Sequence, residues 1–228
     1  MSGEHSITPI AYIENDYKAK FGIPRQSGIV EAAVSRIVFA PEFRNSDALR
    51  GIEEFSHLWL IWQFSENVRD NWSPTVRPPR LGGNERLGVF ATRSPFRPNA
   101  LGLSCVRLVG VEKLAGRGTV LNVVGADLMD GTPIYDIKPY IAYTDAHPDA
   151  ECSYASAAPE MAKVEIPPDI LAKIPEDKLA ALMAVLAGDP HPRYQHDASR
   201  VYAMDYASMC VRFRVDKDTV YVVDVEEK

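Results

Sequence analysis

Apolar positions cluster into short β-like runs over the first two thirds of the chain. The runs are ITPIAYIE (7–14), GIVEAAVSRIVF (28–39), HLWLIWQF (57–64), RLGVFAT (86–92), LSCVRLVGVE (103–112) and TVLNVVGA (119–126). All are rich in Val, Ile, Leu or aromatic residues, and several alternate with period two, as half-buried strands do. Only PEFRNSDALRGIEEF (41–55) in this half has a partly helical pattern. Many strands with few helices between them predict an antiparallel or mixed barrel rather than a doubly wound sheet.

The pattern changes after about residue 145. AHPDAECSYASAAPEM (146–161) is small, polar and proline-bearing, which suits a linker. Pro167 and Pro168 open a short helix, and PEDKLAALMAVLAG (175–188) predicts a longer one. It carries acids in its first turn, an apolar face at Leu179, Leu182, Met183 and Leu186, and Gly188 at its end. MCVRFRV and TVYVVDV, joined by DKD, read as a β-hairpin. The expected organisation is therefore a barrel domain over 1–145, a linker over 146–160 and a small helix-plus-hairpin domain over 161–228.

Composition narrows the class only a little. The chain has 228 residues, 46% of them apolar and 25% charged, which is ordinary for a soluble globular protein. MSGEHSITPIAY lacks the basic-then-apolar order of a secretory leader, and no apolar run approaches the roughly 20 residues that span a bilayer. Cys105, Cys152 and Cys210 are odd in number and far apart, which suits a reducing cytoplasm. These observations predict a cytoplasmic protein with no membrane partner.

The formal net charge of −6 argues against a generally basic nucleic-acid binder, but the charge is unevenly spread. From Arg69 to Arg97 there are six arginines (69, 77, 80, 86, 93 and 97) against Asp70 and Glu85. Arginine throughout, with no lysine, favours fork-shaped recognition of phosphate, carboxylate or a base edge. Part of this cluster lies in NWSPTVRPPRLGGNE (71–85), a long proline- and glycine-rich loop of the kind that often carries function.

Familiar catalytic signatures are absent. The chain has neither a GxGxxG after a strand nor a GxxxxGK[ST] loop, and HEXXH and paired CxxC are missing. His191 and His196 are five apart, without further ligands nearby, so no metal is expected. Ser104 lacks the GxSxG elbow of a hydrolase.

Three stretches remain as chemistry. In GIPRQSG (22–28), Pro24 stiffens a loop that presents the planar groups of Arg25 and Gln26. In RSPFRPN (93–99), two prolines push Ser94 and Arg97 extended, which pre-organises Arg93, Arg97 and Asn99 around a ligand. In GADLMDGTPIYDIKPYIAYTD (125–145), Asp127, Asp130 and Asp136 fall within ten residues, with Lys138 close behind. Carboxylates beside apolar strands suit cationic or hydroxyl-bearing ligands, and general-base work.

GVFATRSPFRPNALGLS, with PRQSG upstream and DLMDGTPIYDIKPY downstream, resembles the TrmO family, also called TsaA-like or YaeB-like proteins. The resemblance covers about residues 5–145. It continues loosely through DPHPRYQHDASRVYAMDY (189–206), where DPHP, with His191, replaces the family's usual DPRP. It implies a non-Rossmann β-barrel methyltransferase with a small α/β C-terminal domain, acting as a homodimer with S-adenosyl-L-methionine near the subunit interface. The implied reaction is methylation of N6 of N6-threonylcarbamoyladenosine, 3′ of the anticodon of certain tRNAs.

Carried over by motif, the cofactor residues are Pro24, Arg25, Gln26, Ser65, Glu66, Arg93, Leu103, Asp127, Leu128, Met129 and Asp130. Ser65 stands where family members often have histidine. Asp136, Lys138 and Tyr140 complete the pocket wall and are the catalytic candidates, Asp136 as base or orienter. Arg97 is matched to the substrate's threonyl carboxylate, with Asn99 beside it. Arg77, Arg80 and Arg86 are expected to meet the anticodon loop, with Trp72 as a stacking surface. A non-catalytic RNA-binding module and a methyltransferase of another small substrate are the competing readings.

Overall fold

The computed structural model describes residues 3, 5–67, 71–191 and 197–228. Arg69, Asp70 and residues 192–196, including His196, lie outside the described residues.

The N-terminal part contributes β1 (Ala11–Glu14), β2 (Val34–Phe39), β3 (His57–Gln63), β4 (Thr75–Val76), β5 (Leu87–Gly88), β6 (Leu101–Leu114), β7 (Gly118–Val124) and β8 (Pro133–Pro139). Strands β1, β2, β7, β6, β3 and β8 pair in that order into a closed barrel. Every pairing within it is antiparallel. Closure leaves no strand edge open for unwanted pairing. Alternation on β3 sends Leu58, Leu60 and Trp62 inward, where they meet Ile13, Ile37, Val106, Leu121, Val123 and Ile134.

Two expectations change here. Residues 28–33 are not strand: β2 begins at Val34, and Val30 and Ala33 pack away from the barrel. The 86–92 run is split, because Leu87–Gly88 pairs with Thr75–Val76 and Val89–Ala91 then forms a 3-10 turn. Val89 is fully buried and its carbonyl accepts from the Thr92 hydroxyl at 2.9 Å, so the chain turns instead of extending. The partly helical pattern of 41–55 is realised as three successive 3-10 turns.

The rest of the chain contains α1 (Ala142–Asp145), β9 (Lys163–Glu165), α2 (Pro168–Leu171), α3 (Glu176–Ala187), β10 (Tyr202–Tyr206), β11 (Met209–Asp216) and β12 (Thr219–Glu227). The expected hairpin is β11–β12. It sits within a larger sheet of order β10–β11–β12–β9, whose last pairing is parallel. Helix α3 buries Ala181, Leu182, Val185 and Leu186 against this sheet, where Val211, Phe213 and Val220 are also buried. Tyr17, Val30 and Ala33 join the same core. The segment between β1 and β2 is therefore a shared wall. Its attachment is reinforced where Lys178 pairs with Asp16 at 2.7 Å and the Ala207 amide donates to the Asp16 carbonyl at 2.8 Å. Among the described residues, no helix is long and apolar enough to cross a membrane.

Candidate functional site

The site is assembled where β7 leaves the barrel. Gly125 sits there at φ +80, a conformation that side-chain-bearing residues rarely adopt. Its carbonyl accepts the Gly28 amide at 2.8 Å, and a Cβ on Gly125 would lie 3.1 Å from the Gly28 Cα. This close crossing of two backbones pins the PRQSG loop against the start of the DLMD loop. RSPFRPN is the third segment: Arg93 Nη1 donates to Gln26 Oε1 at 2.5 Å. Gln26 Nε2 in turn donates to the Arg25 carbonyl at 2.6 Å.

Asp127 lies among these three segments. The Ser104 hydroxyl donates to its Oδ1 at 2.5 Å, and Trp62 Nε1 donates to the Ser104 oxygen at 2.9 Å. Burial pushes the Asp127 carboxyl above the usual carboxylate range. The Ser104 hydroxyl, Asp127's own backbone, the Arg93 charge and the Ser27 backbone oppose that shift only in part. The result is a half-buried carboxylate whose ion-pairing is incomplete among the described residues, and a positively charged ligand would complete it.

Other expected site residues have structural partners. Leu128 is fully buried in the barrel core, so its side chain cannot line a ligand pocket; its carbonyl accepts from Asn15 Nδ2 at 2.8 Å. Asp130 accepts the Asn15 amide at 2.9 Å and Lys18 Nζ at 2.8 Å, clamping the end of β1. The Met129 carbonyl closes a turn with the Thr132 amide at 3.1 Å. Arg25 Nη2 reaches the carbonyls of Asp189 at 3.0 Å and His191 at 3.2 Å, joining the PRQSG loop to the DPH segment. Pro24 borders a crevice with Ile29, Val185 and Pro190. Ser65 and Glu66 are exposed in a 3-10 turn after β3, where the Glu66 carbonyl accepts Lys20 Nζ at 2.6 Å.

The expected catalytic residues lie on the outer barrel wall. In register across β6, β3 and β8 stand Leu103, Ile61 and Asp136. Asp136 pairs with Lys138 at 2.9 Å and also accepts the Ile137 amide. The Tyr140 ring lies 6.0 Å from that of His57 and 5.8 Å from that of Trp59. Leu103 is 58% exposed and Leu101 is exposed beside it, so an apolar strip runs along this wall.

On the arginine side, Arg97 Nη1 donates to the carbonyls of Thr92 at 2.6 Å and Val89 at 3.2 Å. It thereby holds the 89–92 turn, a role its sequence setting does not announce. The Asn99 carbonyl accepts the Leu101 amide at 2.7 Å. Arg77, Arg80 and Arg86 are exposed; Arg80 donates to the Ala157 carbonyl, and Arg86 donates to Thr75 Oγ1 at 3.0 Å. Sequence reasoning missed Ser104, Trp62 and the Gly28–Gly125 crossing as site elements. A polar serine at an inward position of LGLS was the available signal for the first.

Fold and site together define a β-barrel protein whose loops gather around a half-buried carboxylate where β7 leaves the barrel. Family models for the N-terminal and C-terminal domains of tRNA-methyltransferase O match residues 12–146 and 159–228. The chain belongs to this family. It is 43% identical over 217 residues to the tRNA (adenine(37)-N6)-methyltransferase of Escherichia coli, covering 90% of this chain and 91% of that protein. It is 41% identical over 230 residues to a putative S-adenosylmethionine-dependent methyltransferase of Pseudomonas aeruginosa, covering 97% of each. A crystal structure of TrmO from P. aeruginosa superposes with a TM-score of 0.82 at 34% identity, covering 100% of this chain and 99% of that one.

Proposed function

We propose that this protein methylates N6 of the adenosine at tRNA position 37, with S-adenosylmethionine as donor and N6-threonylcarbamoyladenosine as the acceptor nucleoside. The observation that carries the proposal is the meeting of the PRQSG, RSPFRPN and DLMD segments around Asp127, held by the Gly28–Gly125 crossing. The names of the relatives support the same reaction.

The residues fit the donor's chemistry. Asp127 is a half-buried carboxylate in need of positive charge, and the joined planar groups of Arg93 and Gln26 suit a carboxylate or a purine edge. Bound there, S-adenosylmethionine supplies a methyl group on a positively charged sulfur. The work left to the chain is positioning, since in-line displacement needs nucleophile and methyl aligned about 3 Å apart. The acceptor nitrogen belongs to a urea and is a weak nucleophile. Asp136 takes its proton, while Lys138 or Tyr140 donates a hydrogen bond to the urea carbonyl. These groups lie on the outer wall beside exposed Leu101 and Leu103, which supports a homodimer in which a second copy closes over them. We place the protein in the cytoplasm, where its tRNA would be.

The two arginines of the proline-braced loop divide between the ligands. We expect Arg93→Ala to weaken S-adenosylmethionine binding about tenfold, the worth of one charge-assisted hydrogen bond. We expect Arg97→Ala to leave that affinity within about twofold while raising the KM for tRNA about tenfold. Calorimetry with the cofactor and steady-state kinetics with tRNA test the division; the reverse pattern would assign Arg97 to the cofactor.

A further inference from the structure

Trp72 and Phe90 are 50% and 70% exposed, yet they stack on each other with ring centroids 6.0 Å apart and 28° between planes. The Arg97 guanidinium lies 5.7 Å from the Phe90 centroid. The three side chains come from different segments whose backbones are tied to one another. Fully buried Val89 holds the turn under Phe90, and its amide donates to the Pro74 carbonyl at 2.9 Å. The β4–β5 ribbon pairs Thr75 with Gly88, setting the Trp72 side of the loop next to Phe90. Arg97 is held by the Val89 and Thr92 carbonyls. The result is a braced aromatic ledge with ring surface left in water.

The charge around the ledge selects its occupant. Along the segment that carries the ledge, residues 71–97, there are five arginines (77, 80, 86, 93 and 97) and one acid, Glu85. A second copy of so basic a segment would be repelled, whereas a phosphodiester chain would be drawn to it. Unpaired bases stack on exposed aromatic rings and guanidinium planes whatever their sequence. The ledge is also tied to the methylation site, because Arg93, in the same proline-braced segment as Arg97, is bonded to Gln26.

Granted the tRNA substrate proposed above, we infer that the Trp72–Phe90–Arg97 ledge stacks an unpaired nucleobase flanking the methylated adenosine, with Arg77 and Arg86 on the neighbouring phosphates. The ledge fixes how the anticodon loop is splayed and thereby presents the target nucleoside to the Asp127 site.

The test is a fluorescence-anisotropy titration of the full-length protein with a labelled anticodon stem–loop RNA, across a range of salt concentrations. Phe90→Ala and Trp72→Ala each weaken binding by about 5- to 100-fold, the span found for loss of one base stack. Phe90→Tyr and Trp72→Phe keep it within about threefold, and S-adenosylmethionine affinity stays unchanged in all four variants. The salt slope is unaltered by the aromatic variants but falls by about one in Arg77→Ala. Wild-type RNA affinity in Phe90→Ala and Trp72→Ala would overturn the ledge while leaving the tRNA reading intact. A shift in sedimentation with RNA affinity preserved would reassign the ledge to self-association and overturn it too. Failure of the wild-type protein to bind the RNA would instead defeat the tRNA reading on which the ledge depends.

Discussion

Asp127→Asn lowers S-adenosylmethionine affinity on the order of 100-fold while leaving the barrel folded. The amide keeps the shape of the carboxyl and still accepts the Ser104 hydroxyl, so the local packing survives. It removes the half-buried negative charge to which the DLMD and PRQSG loops and Arg93 converge. A hydrogen bond to a charged group is worth about 1.5–3 kcal/mol, and each 1.4 kcal/mol is about tenfold in affinity. Stability moves the other way. Because burial raises the Asp127 carboxyl above its ordinary value of 3.8, the folded chain binds more protons than the unfolded chain between that value and the folded one. Wild-type stability therefore falls as pH rises through that window, and the penalty is fully present above it. Asn carries no such penalty, so the variant's melting temperature gains on wild type as pH rises above about 4. A variant that lost stability and kept its cofactor affinity would show Asp127 to be a structural carboxylate.

Gly102→Ala destabilises the protein by about 3 kcal/mol, at the upper end of ordinary overpacking costs. Gly102 faces Trp62 across the β3–β6 ladder, and a Cβ there would lie 2.2 Å from the indole Cε2. The indole is rigid and buried against Phe64, with ring centroids 4.3 Å apart, so it cannot yield without moving its neighbours. For a chain of this size the cost corresponds to a fall in melting temperature of roughly 6–12 °C. The same displacement breaks the Trp62–Ser104–Asp127 chain, so cofactor affinity falls as well. Adding Trp62→Leu to Gly102→Ala clears the clash and recovers most of the stability. It does not recover the affinity, because Ser104 has lost its indole donor. Recovery of both would mean that the Trp62–Ser104 bond contributes nothing to the site.

Particular residues show what the sequence could and could not reveal. HLWLIWQF alternates cleanly because one face of β3 lines the barrel core, and that periodicity was readable directly. RLGVFAT misled because Val89 is buried by a turn, not a strand, and its carbonyl is held by Arg97 from eight residues away. Strand β9 is too short to leave a periodic trace and is set by its parallel pairing to β12, whereas YAMDY of β10 does alternate but lies in a polar, proline-bearing stretch that hides it. The site's segments were legible as stiff, charged loops, but the jobs of single residues were not. Asp130 and Asp127 sit three apart in the same loop. Asp130 is taken by Asn15 and Lys18 from the β1 end, whereas Asp127 faces Ser104 and Arg93. Arg25 likewise finds its partners more than 160 residues downstream. Such partners are chosen by the closed barrel and the shared wall, which local composition does not encode.

The central claim is tested most directly by mass spectrometry of tRNA nucleosides after incubation with the protein and S-adenosylmethionine. A gain of one methyl on N6-threonylcarbamoyladenosine, dependent on both protein and cofactor, is the predicted result. Methylation confined to unmodified tRNA or to small molecules would contradict it.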